Sequence, residues 1–157
     1  MLLVIALAKA NCDTIFRSAS LAWLVAASLS ALIGLLQYVG ATAWAAVWID
    51  HTGMGEAYGN LRQRNQFATL MNIGLASLLW LGSIRCQATV SGTALVRSRW
   101  STRYLLFVCA ILLGIGNAAS SSRTGLIQLG MLLTLAAIWQ FQVLRRAQQM
   151  AHPSFAL

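Results

Sequence analysis

The feature that most constrains this chain is where its charges are missing. No formal charge occurs from Ser18 to Ile49, and Ala19 to Gly40 alone supplies 22 such residues. As a helix rising ~1.5 Å per residue that stretch is about 33 Å long, enough to cross a hydrocarbon core of about 30 Å. Asn65 to Ile84 is uncharged for 20 residues, Tyr104 to Ser122 for 19 and Thr124 to Leu144 for 21. An isolated strand in lipid would leave its backbone unpaired, so each run is predicted to be helical.

Composition agrees. The 157 residues are 59% hydrophobic and 9% charged, against about 25% charged in an ordinary soluble domain. The expected fold is therefore all-α: one polytopic membrane domain over 1–157. It has four full spans, near 19–40, 65–84, 104–122 and 124–144, preceded by a hydrophobic stub at Met1–Ala8. The stub has no basic stretch before it and is too short for a secretory signal. The net charge of +8 falls in clusters between the apolar runs, so it points to membrane topology and not to nucleic acid.

Orientation follows from those clusters. Lys9, Arg17, Arg85, Arg97, Arg99, Arg103, Arg145 and Arg146 fall on one side, and Arg62, Arg64 and Arg123 on the other. The side with more basic residues is expected inside. That makes 85–103 an inner loop, 145–157 an inner tail and 41–64 an outer loop, facing the periplasm in a bacterial inner membrane. Lys9, Asp13 and Arg17 are expected in a first polar loop. Trp44, Val47 and Trp48 have the spacing of a short helix lying in the interface, matched inside by Trp100 and Tyr104.

Two polar clusters fall on the outer side. In the first, helical phase counted from Arg62 puts Asn65, Gln66, Thr69 and Asn72 on one stripe, with Phe67, Leu70, Met71, Gly74 and Leu78 opposite. Arg64 then points elsewhere and snorkels. If 59–64 is extended, Arg62 and Arg64 share a face. The stripe either ties helices together or forms an anion-binding lip. The second cluster is Asn117-Ala118-Ala119-Ser120-Ser121-Ser122-Arg123-Thr124-Gly125. Ser122 suits an N-cap, and a helix N-terminus beside Arg123 suits a phosphate. Cys12, Cys86 and Cys109 have no metal or redox spacing, and no metal or other cofactor is expected. Asp13, Asp50 and Glu56 are the only acids, which argues against two-carboxylate glycosidase chemistry. His51 beside Asp50, and His152 in the tail, lack a partner that would mark either as a base.

The run Gly55-Glu56-Ala57-Tyr58-Gly59-Asn60-Leu61-Arg62-Gln63-Arg64-Asn65-Gln66-Phe67-Ala68-Thr69-Leu70 resembles bacterial protein glycosylation ligases. These are the pilin-type O-oligosaccharyltransferases of the O-antigen ligase and polymerase superfamily. Ser121-Ser122-Arg123-Thr124-Gly125 is similar to a motif shared more widely in that superfamily. The resemblance implies an inner-membrane transferase without a metal. It takes a glycan from undecaprenyl pyrophosphate and passes it to Ser or Thr of a pilin-like protein. Arg62, Arg64 and Arg123 match motif positions that would hold pyrophosphate, supported by Asn60, Gln63, Asn65, Gln66, Thr69 and Ser122. The family's histidine sits in a large periplasmic loop that this chain does not show, so no catalytic residue is assigned. The expectation is a donor-binding portion of a longer enzyme, inactive alone. The alternatives are a fragment of an O-antigen ligase or polymerase, or a small non-enzymatic helical membrane protein.

Overall fold

A computed structural model describes residues 12–50, 53–90 and 99–151. The stub, Lys9, His51, Arg97 and His152 lie outside them. Among the described residues the chain is all helical: α1 (Cys12–Tyr38), a 3₁₀ turn (Ala43–Ala45), α2 (Arg64–Val90), α3 (Arg99–Ala119) and α4 (Arg123–Ala151). α1 packs along α2 and α3, and α2 also packs on α3 and α4, whereas α4 barely meets α3.

Among the described residues, three of the four helices are long and apolar enough to cross a membrane: Thr14–Tyr38, Arg64–Ile84 and Arg123–Arg145. This corrects the expectation of four full spans. The apolar part of α3 is only Tyr104–Ala119, about 24 Å at the helical rise. The predicted run to Ser122 fails because Ser121 adopts φ 50° and Ser120–Ser122 form a turn. Arg17 and Asp13, expected in a loop, lie within α1. Nothing in this stretch breaks a helix, and α1 runs on to Tyr38, with Gly40 just past its end. There, Ala41 N–H reaches Leu36 O (2.9 Å) and Gly40 N–H reaches Gln37 O (3.0 Å). With Gly40 at φ 72° this is a glycine-terminated cap that satisfies the last carbonyls.

Small residues set how closely the helices approach. Ala27 and Ala31 of α1 are fully buried, against Gly74 of α2 and Gly116 of α3 respectively. The ring of Phe67, itself fully buried, sits between Gly34 of α1 and Gly59 of the loop that precedes α2. A Cβ at Gly59 would come within 2.6 Å of that ring. Leu24, Ala57, Met71, Leu81 and Leu113 complete the buried cluster. Phe67, Met71 and Gly74 are thus the packed face of α2 that the helical phase predicts. No residue in the most apolar stretch of α4 is buried.

Candidate anion site at the arginine end of the bundle

The segment before α2 folds onto the end of α1 through one amide. Gln37, the only Asn or Gln in the uncharged run Ala19–Gly40, is buried. Its Oε1 accepts from the backbone N–H of Tyr58 (3.1 Å) and of Gly59 (2.8 Å). Its Nε2 donates to Asp50 O (3.1 Å) and to Asn60 Oδ1 (3.4 Å). Asn60 continues the brace, accepting from Asp50 N–H (3.0 Å) and donating to Trp48 O (2.8 Å).

Gly59, Asn60 and Arg62 all have positive φ, at 55°, 65° and 57°. Asparagine tolerates this region. Arginine does so at a cost of order 1–3 kcal/mol, which the bracing at Gln37 and Asn60 holds in place.

This geometry revises the helical phase of the two arginines. α2 begins at Arg64, so Arg62 precedes the helix and is not part of the stripe. It is highly exposed and only loosely paired, its Nε 3.5 Å from Asp50 Oδ2. Arg64, expected to snorkel, is instead clipped down. Its Nη2 lies 2.6 Å from Glu56 Oε1, its Nε donates to Tyr58 Oη (3.2 Å), and Tyr58 Oη donates to Glu56 Oε2 (2.6 Å). The guanidinium also lies over the Tyr58 ring, 5.6 Å from its centroid. Arg64 therefore orders the loop while Arg62 stays available.

The stripe itself is present as Asn65, Thr69 and Asn72, and it faces α4. Asn65 Oδ1 accepts from Ser122 Oγ (2.7 Å). Thr69 Oγ1 lies 2.8 Å from Asn65 O and 3.2 Å from Gln128 Oε1, and Asn72 Nδ2 donates to the same Gln128 oxygen (3.2 Å) and to Gly125 O (3.1 Å). Asn117 of α3 adds its Nδ2 to Asn72 Oδ1 at 3.4 Å. The amides thus tie three helices together, as the structural reading of the stripe predicts. Gln63 and Gln66 are exposed and join neither network. Gln37 and Gln128 were not singled out from the sequence. A lone amide inside an apolar run was the available signal for Gln37.

Ser122 is the N-cap of α4, its Oγ accepting from Gly125 N–H at 3.1 Å. One hydroxyl therefore caps α4 and bonds Asn65 at the start of α2. The two clusters predicted to share a face are joined here. Arg123, the first residue of α4, is exposed and has no ion-pair partner among the described residues. Replacing Ser122 with Ala is expected to lower stability by about 1 kcal/mol through loss of the cap, measured by thermal unfolding in detergent.

Chemically, the end of the bundle offers Arg62, Arg123 and the free N–H groups of the first turn of α4. All are donors, and together they favour a multiply charged oxyanion. Among the described residues no group of three His, Cys, Asp or Glu side chains converges. A family profile described as protein glycosylation ligase matches residues 57–81, which is the braced loop from Ala57 onward and most of α2. No curated protein and no solved structure matches the chain.

Proposed function

We propose that this chain binds the lipid-pyrophosphate donor of a protein O-oligosaccharyltransferase, as a multi-pass protein of the bacterial inner membrane. The observation that carries the reading is the Asn65–Ser122 hydrogen bond, which sets the loop bearing Arg62 beside the helix start bearing Arg123. The match of residues 57–81 to a protein glycosylation ligase and the basic-residue asymmetry support it, the latter being the pattern expected of a chain whose Arg62 and Arg123 end faces the periplasm. Undecaprenyl pyrophosphate would present its charge at this depth. Arg62 and Arg123, aided by the dipole of α4, would hold the diphosphate and stabilise the charge that develops as the glycan leaves. The acceptor is a Ser or Thr hydroxyl of a pilin-like protein. Its proton needs a base, and the two described carboxylates at this end, Asp50 and Glu56, are each paired with an arginine. On this reading the chain by itself binds donor and transfers nothing.

The test is binding of a polyprenyl pyrophosphate to the full chain in lipid nanodiscs. Arg62→Ala and Arg123→Ala are each expected to weaken it about tenfold or more, the loss of one charge-assisted contact. Arg145→Ala, at the far end of α4, is expected to leave it unchanged. Equal effects from all three would indicate general membrane electrostatics instead. Glycan transfer to pilin by the purified chain would overturn the claim of inactivity.

A further inference from the structure

The chain between α1 and α2 has two apolar faces, which a water-facing loop does not need. Ala45 and Ile49 turn inward and are buried, while Trp44, Val47, Trp48 and Met54 are 80%, 91%, 83% and 82% exposed. The 3₁₀ turn of this arm starts five residues after the end of α1, a helix long enough to cross a membrane. α1, which leads into the arm, carries an exposed apolar face of its own: Leu21, Val25 and Leu32, with Val39 just past its end, fall within about 40° of one another at 100° per residue. Met54 lies over Gly40, the hinge between the two. Tryptophan at the end of a membrane-length helix partitions to the boundary between headgroups and acyl chains.

We infer that this arm is an immersed foot: Trp44, Val47, Trp48 and Met54 enter one leaflet and thereby set the height of the Arg62 loop at the membrane surface. The occupant of the exposed face is lipid, because the arm directly follows a helix long and apolar enough to cross a membrane and carries two exposed tryptophans. The coupling runs through the braces already described. Asn60 holds Trp48 O and Asp50 N–H, Gln37 holds Asp50 O, and Arg62 pairs with Asp50. The foot and the Arg62 loop therefore move together. This goes beyond donor binding and holds whatever anion the arginines take.

The experiment uses the full chain, with Cys12, Cys86 and Cys109 replaced by Ala, in vesicles of phosphatidylethanolamine and phosphatidylglycerol. A nitroxide at Val47→Cys should collide mainly with oxygen and little with a water-soluble nickel chelate. The expected depth is about 5–10 Å below the headgroups. A label at Ser121→Cys, on the other turn at this end, should show the reverse. Nickel-dominated collisions at Val47 would overturn the inference. So would shielding from both reagents, which would mean that protein covers the face. The coupling is read at Gln63→Cys. Adding Trp48→Asp should lift the foot and raise nickel access at Gln63, while a label at Thr134→Cys in α4 stays deep. If Gln63 does not move when Trp48 is replaced, the mechanical link is wrong.

Discussion

Replacing Gln37 with Leu is expected to release the Arg62 loop from α1 and abolish donor binding while leaving the helices formed. The side chain is of similar size, so packing changes little. What is lost is one acceptor for two backbone N–H groups and one donor to the loop. Each buried donor left without a partner costs about 1–3 kcal/mol, and the remaining backbone hydrogen bond to α1, from Gly55 N–H to Tyr38 O (3.0 Å), lies seven residues before Arg62. The loop is expected to open locally in preference to the bundle, because the Ala27–Gly74 and Ala31–Gly116 contacts that hold the helices together involve neither Gln37 nor the loop. Amide exchange should rise sharply across residues 56–62, with far-ultraviolet circular dichroism unchanged.

The second large effect is expected at Gly125. A Cβ there would run into Ala68 Cβ and lie 2.8 Å from Asn117 Oδ1, an oxygen already buried without a partner. Gly125→Val adds two further methyls to this space. Overpacking of this kind costs about 1–3 kcal/mol. Here it also pushes α4 off α2 where Gly125 O accepts from Asn72, and where Ser122 Oγ donates to Asn65 Oδ1 and accepts from Gly125 N–H. Thermal stability in detergent should fall and Arg123 should part from the Arg62 loop. Gly130→Val is the control, since a Cβ at Gly130 meets nothing within 4 Å. It should be nearly silent.

These two positions show what the sequence could and could not reveal. The helices were legible because charge is too costly in lipid to be scattered, so the uncharged runs outline them. The run from Tyr104 misled because three serines carry no charge, and a turn built from Ser120–Ser122 looks like more span. The stripe Asn65, Thr69 and Asn72 was legible from phase, since residues three and four apart share a helix face. Arg62 is misplaced by phase because its left-handed backbone sits in a loop held by bonds between residues distant in sequence, Gln37 to Tyr58 and Gly59, and Asn60 to Trp48 and Asp50. The interfacial helix expected at Trp44–Trp48 is a single 3₁₀ turn for the same kind of reason. Gly40 caps α1 and Asn60 pulls Trp48 and Asp50 back toward the loop, leaving too few residues for a longer helix. Each partner in the Asn65–Ser122 bond was identifiable alone. Their pairing required knowing that α4 returns along α2.

The central claim is that Arg62 and Arg123 grip one anion. A double-mutant cycle on polyprenyl pyrophosphate binding in nanodiscs tests it most directly. If both arginines hold the same diphosphate, Arg62→Ala and Arg123→Ala will combine non-additively, with a coupling of about 0.5–3 kcal/mol. Arg62→Ala and Arg145→Ala will simply add. Additive losses at Arg62 and Arg123, no different from the pair with Arg145, would contradict the account.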